Sequence, residues 1–130
     1  MFQVSKKSQY GLRALVFLAK RSKNKKPVSI KEIAENEAIP FAFLEKIILD
    51  LEKSKIVKGK KGIGGGYVLA QRPQKISVKE IVEVLEKTII PVDCSLCRRA
   101  KKCASKDVWG KVQKSINKTL KSITLADLIK

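Results

Sequence analysis

Residues 29–70 read SIKEIAENEAIPFAFLEKIILDLEKSKIVKGKKGIGGGYVLA, and this stretch decides the fold. Ser29 can cap a helix, Glu32 can reach back from the third helical position to the cap's N–H, and Val28 can staple onto Ile33. A short helix over 29–37 is the expectation. Ala38-Ile39-Pro40 interrupts it, and because proline suits a helix start, a further helix runs from about Pro40 to Ser54 with Leu44, Ile47, Ile48 and Leu51 on one stripe. Two short helices on a tight turn, each with one apolar face, have the proportions of a helix-turn-helix, although a plain helical hairpin has them too. Lys55–Gly59 and Tyr67–Ala70 are strand-like runs around KKGIGGG (60–66), which predicts a two-stranded wing. In that loop Lys60 and Lys61 supply charge, and Gly62, Gly64 and Gly65 let the backbone approach a phosphate or enter a minor groove without a side-chain clash. The alternative is a hairpin tip without a ligand. The loop matches neither a Walker sequence nor a dinucleotide fingerprint, each of which would follow a buried strand and open a helix.

Upstream, Leu12, Leu15, Val16 and Ala19 recur at helical spacing, which predicts a first helix over Ser5–Arg21. The polar, basic run to Pro27 reads as a loop. Downstream, Ile76–Ile81 repeats the cap, staple and capping-box pattern, and a helix from Ser77 to about Lys87 packs with Val78, Ile81, Val82 and Leu85. A long helix from about Ser105 to Ser122 places Trp109, Val112, Ile116, Leu120 and Ile123 near one stripe, opposite Lys111, Lys114, Lys118 and Lys121. Such a helix buries its apolar side on the rest of the domain or on a second copy of itself, and dimerisation is the preferred reading. The fold class is therefore mainly α with a small two-stranded β wing: a winged helix-turn-helix over 1–88, a cysteine loop over 89–104, and a dimerisation helix with a C-terminal segment over 105–130.

The 130 residues suffice for one ordinary core plus an appended element. Against 12 acidic residues stand 29 basic ones, a net charge of +17 that would repel itself unless an anionic partner offset it. Nucleic acid is the leading partner. The longest apolar run near the start, Ala14–Ala19, falls far short of the roughly 20 residues that span a bilayer, so no membrane segment is expected. The basic N-terminus lacks a small-residue cleavage site and reads as part of the fold, in a cytoplasmic protein.

Histidine is absent, which removes every Ser-His or Cys-His catalytic arrangement and argues against an enzyme. An RNA-binding protein with a structural metal loop is a weaker reading, because no segment gathers enough aromatics for a stacking platform. Three cysteines argue against a disulfide framework and for thiols or metal ligation in a reducing compartment. Cys94, Cys97 and Cys103 follow a C-x2-C-x5-C spacing, close enough for one metal centre to take all three thiolates. Arg98, Arg99, Lys101 and Lys102 flank them and would lower the thiol pKa values. A structural zinc site normally has four Cys or His ligands, so three cysteines favour a cluster completed by another residue or left partly open, with Asp107 and Asp93 as oxygen candidates. A thiol switch, a zinc site completed by Asp or water, and cysteines without function are the alternatives.

Tyr10–Leu15, Ile33-Ala34, Phe43–Lys46, Gly62–Ala70, the cysteine cluster and Ser122–Leu128, in this order and spacing, closely resemble the IscR, NsrR and CymR regulators of the Rrf-two family over essentially the whole chain. The resemblance implies a winged-helix homodimer that binds a palindromic double-stranded DNA operator, generally as a repressor. The third helix would enter the major groove, the wing would reach the minor groove, and the long C-terminal helices would cross between subunits. It further implies that Glu45 faces bases, where a carboxylate accepts from cytosine N4. Ala42 and Lys46 share that outward face. Lys61 stands where relatives often carry arginine, and Ile63 where they often carry proline. Relatives with three cysteines here ligate a 2Fe–2S or 4Fe–4S cluster whose fourth ligand is a histidine after the third cysteine or an aspartate near the partner's N-terminus. Lys106 occupies the first of those places, and Ser8 and Gln9 the second, which adds Gln9 to the candidates. The expected function is a regulator whose DNA affinity follows cluster loss, oxidation or nitrosylation; the alternative is redox sensing through the thiols or a partner protein.

Overall fold

The computed structural model describes residues 3–24, 26–86 and 104–129, with only the backbone of Lys106. Helix α1 (Lys6–Arg21) starts where the Ser5 hydroxyl accepts from the Ser8 N–H at 3.2 Å, a bond that satisfies one of the four unpaired donors of a first turn. It buries Ala14, Leu15, Leu18 and Ala19. A Cβ added at Gly11 would lie 2.3 Å from Leu85 Cδ1, so the bare backbone at Gly11 leaves room for the Leu85 side chain of the later helix α4 (Val78–Glu86).

Helix α2 (Ile30–Glu37) is capped by Ser29, as expected, with the Glu32 N–H donating to Ser29 Oγ at 3.1 Å. The other half of the expected capping box does not form. The Glu32 carboxylate pairs with the Arg21 guanidinium at 3.2 Å instead, because the end of α1 brings a full positive charge within its reach, a stronger attraction than a backbone N–H offers. Ala38 then adopts a left-handed conformation (φ 53°) and turns the chain into α3 (Phe41–Lys53). Val28 and Ile33 are both buried, as the staple requires.

The wing consists of β1 (Val57–Lys60) and β2 (Gly66–Leu69), antiparallel with Val57 opposite Leu69 and Lys60 opposite Gly66. Each strand lies one or two residues from its expected bounds. On its other edge β2 exchanges two backbone hydrogen bonds with Val28, Tyr67 donating at 2.8 Å and accepting at 3.0 Å. The wing is thereby fixed to the residue that precedes the α2 cap. The core between helices and wing holds Leu15, Ile33, Leu44, Ile47, Ile48, Leu51, Val57, Ile76 and Ile81, all without measurable or with marginal exposure.

Helix α4 is capped by the Ser77 hydroxyl, which accepts from the Glu80 N–H at 3.2 Å. It buries Val78, Ile81 and Leu85, whereas Val82 is half-buried and Val84 packs against the core. The long helix α5 (Lys106–Ser122) matches expectation closely, and none of its described side chains is buried. Beyond it the chain returns to the domain. Val78 N–H donates to Ile123 O at 2.8 Å, Leu125 N–H donates to Ile76 O at 3.0 Å, and Leu125 is completely buried. A short helix α6 (Leu125–Leu128), closed by a Thr124–Asp127 capping box, follows; the sequence reading had assigned it no element. No helix among the described residues is long and apolar enough to cross a membrane.

Candidate nucleic-acid interface

Leu44, Ile47, Ile48 and Leu51 turn inward from α3, so the positions between them must face solvent. Ala42, Glu45 and Lys46 are exposed there, on the face expected for them. Leu49 and Phe41 are exposed beside them, at 49% and 48%. The sequence reading passed over these two; their signal is that they are large apolar residues lying off the inward stripe. Phe43 is held by an edge-to-face contact with Tyr10, ring centroids 5.6 Å apart, and Lys6 and Arg13 lie 5.9 and 5.8 Å from the Tyr10 centroid.

Tyr67 of β2 and Glu52 of α3 both lie beside Gly59. Burial raises the Tyr67 phenol pKa, and the negative charges of Glu52 and Glu45 raise it further, so the hydroxyl stays protonated and able to donate. Glu52 lies on the side of α3 that looks toward the wing, and Glu45, seven residues earlier, shares that helix face. Gly59 lies opposite Tyr67 in the register, and a Cβ there would be 3.0 Å from Glu52 Oε2 and 3.3 Å from the Tyr67 ring.

At the wing tip Lys60, Lys61, Gly62, Ile63 and Gly64 are exposed and Gly65 is half-buried. The Gly65 N–H donates to Gly62 O at 3.0 Å, closing a turn with Ile63 and Gly64 at its centre. Gly64 has φ +75°, as the third position of a type II turn requires, and Ile63 holds the second position, which proline favours. Nothing lies within 4 Å of a Cβ added at Gly62 or Gly64. The tip thus offers open backbone between lysines, while Gly65 is required for a different reason: its Cβ would meet Lys60 O at 2.3 Å.

Cys94, Cys97, Cys103 and Asp93 lie outside the described residues. Asp107 is exposed in the first turn of α5, four positions after Cys103 in sequence. Gln9 is exposed on α1 and its amide donates to Val4 O at 2.8 Å. Among the described residues no group of three or more His, Cys, Asp or Glu could hold a metal ion. Where the cysteine segment begins, Glu86 accepts from the Ser5 N–H at 2.9 Å and the Ser5 hydroxyl at 2.5 Å. Burial pushes its carboxyl up, but hydrogen bonding from Ser5, with the Ser8 hydroxyl acting in the same direction, holds it below the usual carboxylate range. No ordinary-length bond joins Ser8 Oγ to any partner among the described residues, so Ser5 carries most of this effect.

Residues 4–130 match the Rrf2 family, described as "Iron-dependent Transcriptional regulator". The chain is 35% identical to Protein rrf2 of Nitratidesulfovibrio vulgaris, over 98% of this chain and 87% of that protein. Among solved structures it is similar to T. potens IscR, with a TM-score of 0.83 and 40% identity over 98% of this chain and 86% of the other. It is also similar to CymR (YrzC), titled the global cysteine regulator of B. subtilis, with a TM-score of 0.87 and 33% identity over 99% and 97% of the two chains.

Proposed function

The chain belongs to the Rrf2 family of transcriptional regulators and is not an enzyme; from that premise we propose that it is a homodimeric repressor of a palindromic operator whose affinity for DNA is set by an iron–sulfur cluster on Cys94, Cys97 and Cys103. In this reading 1–88 recognises DNA, 89–104 senses and 105–130 dimerises. The observation that carries it is the outward face of α3, with Ala42, Glu45 and Lys46 exposed, beside a wing whose tip is open backbone between lysines.

Each residue has a role its chemistry allows. Glu45 accepts from cytosine N4 in the major groove, Ala42 leaves room for a thymine methyl, and Lys46 contacts a base or phosphate. Lys60 and Lys61 neutralise phosphates while Gly62, Gly64 and Gly65 let the tip enter the minor groove. Helix α5 has the apolar stripe a second copy would cover, with Val112, Ile116 and Leu120 still half-exposed in one chain.

Three thiolates fit an iron–sulfur centre better than a four-ligand structural zinc site, and Asp107, Asp93 or Gln9 would complete the set. When bound, the cluster supplies a centre that oxidation or nitrosylation can alter. The protein's own part is to pass that change on. Glu86 ties the start of the cysteine segment to the N-terminal cap of α1, and Gly11 of α1 lies against α4, so a rearrangement in the segment has a route to the helices that carry α3. The likeness to a structure titled as a cysteine regulator favours a second reading, sensing through thiols or a partner protein without a cluster.

Two measurements test these readings. A duplex recovered from a randomised pool should be bound as a palindrome, and Glu45→Ala should lower affinity by about 1–3 kcal/mol while relaxing preference at one position per half-site. Binding of single-stranded RNA as tight as any duplex would refute it. Protein purified without oxygen should show visible charge-transfer absorption with iron and sulfide, lost in Cys94→Ala, Cys97→Ala and Cys103→Ala. Colourless, iron-free protein after reconstitution would favour the second reading.

A further inference from the structure

Gly59 and Tyr67 face α3, so by the alternation of a strand Lys58, Lys60 and Val68 face the opposite side of the wing. There a groove of about 420 Å³ opens between the hairpin, the end of α1 and the segment after β2. Arg21, Lys26, Lys58, Lys60 and Arg72 line it beside apolar groups that include Val68 and Ala70, and no carboxylate is among its lining residues. Arg21 is paired with Glu32; the other four cations make no ion pair among the described residues. Cations gathered on one concave face repel one another until an anion joins them.

We propose that this groove takes the sugar–phosphate backbone of the duplex flanking each half-site, so that the footprint extends past the bases under α3. The proposal rests on the reading of α3 and the wing tip as a duplex-binding surface. Two features favour a duplex over a small anion. Lys60 belongs to both the tip and the groove, so one continuous positive track leads outward from the site already described. The cations are all exposed, whereas a small-ligand pocket needs a few fixed, desolvated polar groups to orient its occupant.

The test compares wild type with Lys58→Gln/Arg72→Gln on the palindrome recovered from the randomised pool, with flanks either trimmed to the half-sites or extended by roughly half a helical turn on each side. Both substituted residues are exposed, and an unchanged thermal melt confirms the fold. The variant should bind the long duplex about tenfold more weakly, by a similar factor on an unrelated duplex of that length, with a salt slope lower by roughly two. On the trimmed duplex the two proteins should bind alike. Equal losses on long and trimmed duplexes would overturn the proposal. So would competition by inorganic phosphate, at matched ionic strength, against wild type but not the variant, since that would assign the groove to a free anion. Failure of wild type to bind any duplex would instead refute the parent reading.

Discussion

Gly64 and Gly65 are neighbours in the wing, yet alanine fails at each for a different reason. At Gly64 there is open space and only the positive φ resists a side chain, a cost of about 1 kcal/mol. At Gly65 a Cβ would sit 2.3 Å from Lys60 O and 2.8 Å from Gly62 O, so the turn itself must move. Gly65→Ala should therefore lower duplex affinity more than Gly64→Ala, measured by fluorescence anisotropy on one duplex; equal effects would show that the tip's shape does not matter to binding. Glu86 makes a separate prediction, in pH. Its carboxyl is held low in the fold, so its contribution is whole above the unfolded value of about 4.3 and is lost as pH falls through the lower folded one. Glu86→Gln should accordingly be less stable than wild type at neutral pH in urea titrations, with the gap closing as pH falls below the ordinary carboxylate range. A gap that persists in acid would mean the residue acts by shape alone.

Among the elements, those set by local chemistry were legible in advance and those set by distant contacts were not. Ser29 and Ser77 mark their helices because a cap needs only the next three residues, and both bond as read. The stripe from Leu44 to Leu51 is equally local, and it fixed which residues of α3 would face outward. Glu32 was read as half of a capping box because nothing nearby in sequence announces Arg21, which only the folded loop brings to it. Helix α6 was missed for a related reason. Four residues hold no periodicity, and what places Leu125 in the core is its own backbone bond to Ile76 together with that between Ile123 and Val78, far away in the chain. Because Leu125 is completely buried, Leu125→Ala should cost about 2–5 kcal/mol in chemical denaturation. A loss below roughly 0.5 kcal/mol would mean that the C-terminal segment is not part of the folded core.

At the scale of the molecule, a net charge of +17 sets a strong salt dependence, while recognition and control depend on where particular groups lie. The helix-turn-helix and wing share one core with the chain's end, so α5 is attached to the domain on both sides, through the cysteine segment before it and Leu125 after it. A change in the cysteine segment can therefore alter DNA binding only by favouring one arrangement of these joined parts over another. The direct test is the affinity of anaerobically purified protein for one selected duplex, measured with its cluster loaded and again after a chelator has removed the iron, with Cys94→Ala alongside. Loaded and stripped protein should differ by about tenfold or more, which corresponds to about 1.4 kcal/mol of coupling, and Cys94→Ala should bind like the stripped form. Equal affinities for loaded and stripped protein would contradict control through the cluster.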